Sequence, residues 1–167
     1  MNACESILGL SPYQGGKPIE ELARELGLSK ISKLASNENP LGVSKKVQKA
    51  INDSVSNLNR YPDGNCFELK EAIARKHNVS SDMISLGNGS NELLELIARV
   101  FVSKGTDEVI FSQYAFVVYP LVTQALGATA VISPAKNYGH DLDSMLNLIS
   151  NETKLIFIAN PNNPTGT

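Results

Sequence analysis

From residue 82 onward the chain repeats one pattern: a short apolar run, a polar or glycine-bearing loop, then a helix with one apolar face. The apolar runs are Asp82–Leu86, Glu108–Phe111, Ala128–Ile132 and Leu155–Ala159. Helices are expected from about Asn91, over Tyr119–Leu126 and over Leu142–Ile149. When each strand is followed by a helix that carries the chain back, neighbouring strands pair in parallel. The pattern therefore predicts an α/β fold, a largely parallel sheet with flanking helices and at least three parallel strands. It also says where function should lie, because such sheets bind ligands beyond the carboxyl ends of their strands. Each loop after a strand is a candidate site.

The first such loop, in SLGNGSNELLELIARVF, holds Gly87, Gly89 and Ser90 ahead of a helix whose buried face is expected to be Leu93, Leu94, Ile97, Val100 and Phe101. The first turn of a helix offers unpaired N–H groups and the positive end of its dipole. Glycines let the backbone approach a ligand closely. Two readings follow: a phosphate cradle, or a tight turn that Ser90 merely caps. The stretch is neither a dinucleotide fingerprint, since Glu92 stands where its pattern continues, nor a P-loop, since no Gly-Lys-Ser/Thr follows.

The second loop, SQYAFVVYP, places Tyr114, Phe116 and Tyr119 just past a strand. Aromatic rings there pack in the core or stack on a flat heteroaromatic ligand. The third, ANPNNPTGT, sets Asn160, Asn162 and Asn163 between Pro161 and Pro164. The prolines stiffen the turn and fix where the amides point. A neutral amide can donate a hydrogen bond to a ring oxyanion without adding a charge.

Upstream the signals are helical. PIEELARELG has Pro18 at its start, Gly27 at its end, and Leu22 and Leu26 as a narrow apolar stripe. KLASNENPLG is extended and turns at Pro40 and Gly42. Ser44 is placed to cap a helix carrying Val47, Ile51, Val55 and Leu58, RYPDGN forms a loop, and Phe67–His77 is amphipathic through Leu69, Ile73 and Ala74.

Composition narrows the function classes. A net charge of -2 removes the electrostatic reason to expect nucleic acid or an anionic membrane surface. Cys4, Cys66, His77 and His140 show neither metal-ligand spacing nor a disulfide framework, so no metal is expected. The start, MNACESILGLSPYQGG, has no basic region, its run Ile7–Leu10 is too short for a signal peptide, and no stretch approaches a membrane span. A reduced, cytoplasmic protein is expected.

ANPNNPTGT is similar to the Asn-Pro-x-Gly signature of fold-type I, pyridoxal-phosphate-dependent aminotransferases. With SPYQGGKPIEEL, KLASNENPLG, RYPDGN and SLGNGSNELLELIARVF in the same chain order, the sequence resembles the amino-terminal half of the histidinol-phosphate aminotransferases, a class II-like subgroup. The resemblance implies pyridoxal 5'-phosphate as cofactor, with Gly89, Ser90, Asn91 and Glu92 around its phosphate. It implies Phe116 stacked on the ring, Asn163 on the phenolic oxygen, and Tyr61 reaching the phosphate of the other subunit of a homodimer. Tyr13 and Asn37 would lie near the substrate, Tyr13 on a mobile arm. The implied partners are histidinol phosphate and the 2-oxoglutarate/glutamate pair, in histidine biosynthesis.

The implied organisation is an arm and short helix over 1–35, a small-domain and interdomain segment over 36–80, and the first half of the cofactor-binding large domain over 81–167. The family's Schiff-base lysine, ring-nitrogen aspartate and substrate arginine follow Asn-Pro-x-Gly, so no catalytic residue is expected here and the chain is expected to be truncated and inactive alone. Two alternatives stay open: a threonine-phosphate decarboxylase-like or other fold-type I enzyme, and a non-catalytic module that binds a phosphorylated ligand or a partner chain.

Overall fold

The structure, a computed structural model, describes residues 3–103 and 105–167. The chain forms two compact units: Gln14–Ile84, and the segment up to Tyr13 together with Ser85–Thr167. The expected arm of residues 1–35 is thus divided between them. A short helix α1 (Glu5–Leu8) belongs with the second unit because the Ser6 hydroxyl donates to the Ala125 carbonyl at 3.2 Å.

The Gln14–Ile84 unit is helical. Helix α2 (Ile19–Leu26) follows Pro18, which stands at its N-cap, and ends at Gly27 with φ 64, the left-handed conformation that glycine adopts without penalty. Ser44 caps α3 (Lys45–Ser54), its hydroxyl accepting the Val47 N–H, and a 3-10 turn over Val55–Asn57 extends it. The carboxylate of Asp63 accepts the N–H groups of Asn65 and Phe67, each at 2.9 Å, and so organises the entry to α4 (Phe67–His77). Those two bonds hold its pKa below the usual carboxylate value.

The expected strand Asp82–Leu86 does not form. Ser81–Met83 is a 3-10 turn, and Ile84, though extended, pairs with no strand among the described residues. An extended segment becomes a strand only against a partner edge, and this one meets none among the described residues.

The other unit carries the sheet. Helix α5 (Ser90–Phe101) leads into β1 (Glu108–Ser112), followed by α6 (Val118–Ala125) and β2 (Thr129–Ser133). Next come β3 (Ala135–Lys136), β4 (Gly139–His140), α7 (Leu142–Asn147) and β5 (Thr153–Ile156). The main sheet has the order β2-β1-β5, with every pairing parallel. Glu108 faces Thr129 in register through to Ser112 and Ser133. The expected run Leu155–Ala159 starts earlier and ends at Ile156, after which Phe157 N–H still bonds to Ile110 O at 2.9 Å.

Val109 and Ile110 are fully buried because β1 is central and covered on both faces. The core unites Val109 and Phe111 with Val102, Tyr119 and Phe157. Leu94, Phe116, Leu126 and Leu155 join it to a second cluster of Ala98, Val118 and Val122. Within α5 the buried residue is Ala98, not Val100 or Phe101, which are exposed. A methyl group at Ala98 lets α6 come close, and the larger side chains turn away. The β3–β4 hairpin was not expected: its turn, Asn137-Tyr138, takes positive φ at both residues without the glycine that usually announces such a turn.

Candidate functional site

Each strand of the parallel sheet ends on the same side, so the loops after β1 and β5 face one another. After β1, Gln113 N–H bonds to Ser133 O and Ala115 N–H to Ser112 O, which turns the chain towards α6. The three aromatic residues here have different fates. Tyr119 is buried and stacked on Phe157, with centroids 4.5 Å apart and planes at 6°, and burial pushes its phenol pKa up. Tyr114 tilts against Tyr138 at 5.3 Å. Phe116 is half-buried, meeting Tyr119 edge to face at 6.0 Å while packing on both core clusters. One side of its ring is thereby fixed and the rest stays available.

After β5 the chain closes into a tight loop. Asn162 N–H bonds to Thr167 O at 2.8 Å and Gly166 N–H to Asn162 O at 2.7 Å. The peptide bonds before Pro161 and Pro164 are cis. The Asn162 carboxamide is buried and donates to Tyr114 O at 3.0 Å and to Thr165 Oγ1 at 2.8 Å. Asn163 is half-buried, and its carboxamide has no hydrogen-bond partner among the described residues. Its two N–H donors are free for a ligand.

The glycine loop precedes α5. Gly89 has φ 83 and ψ 172, a conformation reserved for glycine, and a Cβ there would meet no atom within 4 Å. The space before the helix is open. No side chain caps its N-terminus, which leaves first-turn N–H groups for a ligand. Only a short connection over 102–107 separates α5 from β1, and α5 packs on the sheet, so it runs back along it. Its N-terminus lies on the side of the strands' carboxyl ends. Glu92 Oε2 accepts the Asn88 N–H at 2.6 Å, and a Cβ on Gly87 would come within 2.7 Å of that oxygen. The Glu92 carboxylate therefore shapes the turn itself. Gly89, Ser90 and Asn91 are exposed.

Of the remaining expected site residues, Tyr13 belongs to the sheet-bearing unit and Asn37 and Tyr61 to Gln14–Ile84. Tyr13 borders a cleft of about 260 Å³ between residues 10–13 and the helices α5 and α6, with Glu95, Arg99 and Leu121 in its wall. Asn37 is exposed, with φ 50, a conformation asparagine tolerates well. Tyr61 is fully exposed. Sequence reasoning noticed Asn162 but gave it no role, because Asn162 and Asn163 are chemically identical neighbours. It weighed His140 only as a metal ligand, whereas its Nε2 donates to Ala159 O at 2.8 Å. Among the described residues no group of three His, Cys, Asp or Glu side chains could hold a metal ion, and no helix is long and apolar enough to cross a membrane.

An open helix N-terminus, a partly exposed aromatic ring and an unpaired amide suit a flat, phosphorylated ring that bears an oxyanion. The family model for aminotransferase class I and II matches residues 29–167. Histidinol-phosphate aminotransferase 1 of Mannheimia succiniciproducens is 62% identical over 160 residues, which is 96% of this chain and 43% of that protein. Histidinol-phosphate aminotransferase 2 of Haemophilus influenzae strain 86-028NP is 60% identical over 164 residues, 98% of this chain and 44% of that protein. The chain thus spans less than half the length of these curated relatives.

Among solved structures, histidinol-phosphate aminotransferase from Sinorhizobium meliloti, in complex with pyridoxal-5'-phosphate, matches with a TM-score of 0.84 at 27% identity, over 98% of this chain and 43% of that one. A Thermus thermophilus aspartate aminotransferase mutant matches all of this chain and 47% of its own, with a TM-score of 0.78 at 21% identity, a likeness of fold alone.

Proposed function

The chain belongs to the class I and II aminotransferase family, and from that premise we propose that it works as part of a pyridoxal-phosphate-dependent transaminase of histidine biosynthesis. The amino group would pass from L-histidinol phosphate to 2-oxoglutarate, giving imidazole acetol phosphate and L-glutamate, in a cytoplasmic homodimer. The observation that carries this reading is the 62% identity to a histidinol-phosphate aminotransferase over 96% of the chain.

The local chemistry fits the cofactor. When bound, the pyridoxal ring supplies an electron sink for the bond broken at the substrate's α-carbon. The first-turn N–H groups of α5, with the Ser90 hydroxyl and the Asn91 side chain, hold the phosphate dianion at the positive end of the helix dipole. Gly89 lets that anion approach the backbone, and Glu92 holds the turn in shape. Phe116 would cover one ring face and exclude water from it. Asn163 donates an N–H to the phenolic oxygen and, being neutral, adds no competing charge. Tyr61 would reach the phosphate held by the partner copy, and Tyr13 and Asn37 would serve the substrate side.

Ser-Lys occurs at Ser29-Lys30, Ser32-Lys33, Ser44-Lys45 and Ser103-Lys104, and Ser133 and Lys136 have Ser-x-x-Lys spacing, but all of these precede the Asn-Pro-x-Gly stretch that the family's Schiff-base lysine follows. The group that would move the α-proton is therefore not supplied here. General acid–base catalysis is worth about 10²–10⁴ in rate, so the 167 residues alone should give no glutamate above a protein-free cofactor control. The test is glutamate formation from histidinol phosphate and 2-oxoglutarate, on this chain and on a protein extending it to the relatives' length. Turnover only by the longer protein, reduced by Asn163→Ala, supports the proposal. Release of carbon dioxide from threonine phosphate without amino transfer would overturn it.

A further inference from the structure

Asn162 is 3% exposed, and its carboxamide has a single orientation that satisfies its surroundings. Tyr114 O is a carbonyl and can only accept, so Nδ2 must face it, at 3.0 Å. The second Nδ2 proton goes to Thr165 Oγ1 at 2.8 Å. Thr167 Oγ1 donates to Tyr138 O at 3.2 Å, which leaves its lone pairs to accept from the Thr165 hydroxyl at 3.0 Å. The donors therefore run in one direction: from Asn162 to Tyr114, and from Asn162 through Thr165 and Thr167 to Tyr138. This chain joins the loop after β5, the loop after β1 and the β3–β4 hairpin. Tyr114 lies two residues before Phe116, and Asn162 directly precedes Asn163. The opposite atom, Asn162 Oδ1, is buried with no donor among the described residues, so the tie depends wholly on Nδ2.

We infer that Asn162 is a positioning residue: by clamping the loop after β5 to the loop after β1 through Tyr114 O, it sets where the Asn163 amide stands relative to the Phe116 ring. For its ligand the inference rests on the cofactor reading above, but the clamp is testable without any ligand. Aspartate at this position keeps the size and removes both donors, placing an oxygen against the Tyr114 carbonyl.

Two measurements test this. The first is amide hydrogen exchange on the chain without ligand, read at Gly166 in one loop and at Ala115 in the other. Asn162→Asp should speed exchange at both by about tenfold, the scale of a lost net hydrogen bond. Thr165→Val, which leaves the Tyr114 bond in place, should act on Gly166 and spare Ala115. If Asn162→Asp accelerates Gly166 and leaves Ala115 unchanged, the residue serves its own loop only and the inference falls. Should Asn162→Asp not fold, Asn162→Ser, whose short side chain cannot reach both acceptors, gives the same comparison.

The second measurement is affinity for pyridoxine 5'-phosphate, which lacks the aldehyde that reacts with surface lysines. Asn162→Asp and Asn163→Ala should each weaken binding about tenfold, and the double variant should bind no more weakly than Asn163→Ala alone, because the first residue acts through the second. Additive losses, about a hundredfold in the double variant, would overturn the positioning role. This affinity is measured on the protein extended to the relatives' length; if that protein, unmodified, binds no pyridoxine 5'-phosphate, the cofactor reading fails, and the exchange measurement still decides the clamp.

Discussion

In the sheet-bearing unit β1 is covered on both faces, and Val109, Ile110 and Phe111 are buried with the helices packed beside them. In Gln14–Ile84 the apolar stripe Val47, Ile51, Val55 and Leu58 is just as regular, yet all four side chains are exposed, and Ala74 is the buried apolar residue. Both regions carry amphipathic helices, and each has one helix capped by a side chain, α3 by Ser44 and α7 by Asp141. They differ in whether an opposing layer exists. A helix gains from its apolar face only when another surface removes that face from water, at about 25 cal/mol per Å². Capping and periodicity form a helix, and the sheet supplies what burial requires.

The largest expected contrast is between two phenylalanines. Phe111→Ala should destabilise the sheet unit by about 3–5 kcal/mol through transfer and cavity terms. Phe67→Ala, at an exposed position, should stay within about 0.5 kcal/mol. Urea unfolding followed by circular dichroism measures both, and equal losses would break the comparison. A smaller contrast concerns glycines. Gly89→Ala forces a side chain into a conformation reserved for glycine and should cost about 1–3 kcal/mol. Gly15→Ala, with no left-handed φ and no atom near a Cβ, should be neutral or stabilising by up to about 1 kcal/mol.

Smaller again is Ser44→Ala. It should cost about 1 kcal/mol of α3 helix stability and appear as faster amide exchange at Val47, with the sheet amides unaffected. The smallest effect is on pH dependence. Asp141 caps α7 through Ser144 N–H and, like Asp63, is held below the ordinary carboxylate range mainly by such a bond. A carboxylate with a depressed folded pKa contributes stability that is fully present above its unfolded value of about 3.9 and is lost as pH falls through the folded one. Carboxyl chemical shifts and the exchange of Ser144 and Phe67 amides below pH 4 would show it. A midpoint at or above the ordinary value for either residue contradicts the assignment.

Much of the architecture was legible in advance. Three parallel strands, the helices between them, the Gly27 stop and the Ser44 cap rest on short-range chemistry written in consecutive residues. The loops carrying Phe116 and Asn163 were legible as candidates because α/β sheets put ligand-facing residues after strands, and the Gly89 loop because glycines stand ahead of a helix, although no strand precedes it among the described residues. Asp82–Leu86 misled because its apolar content suggests a strand while a strand also needs a partner. On α5, Val100 and Phe101 misled because the pattern marks which side is apolar, not which residue another helix will approach.

Local order alone thus determined helices, strands, turns and the fold class, since each depends on contacts within a few residues: a cap three positions away, a glycine at the only conformation that closes a turn, alternation at the period of the backbone. Tertiary structure decided the remainder: that Ala98 and not Phe101 meets α6, that Tyr119 belongs to the core while Phe116 keeps an available face, and that of two adjacent asparagines Asn162 is bound inward to Tyr114, forty-eight residues away, while Asn163 stays free. Those outcomes depend on which surfaces are brought together across the fold, and identical side chains acquire different roles only when the packing around them differs.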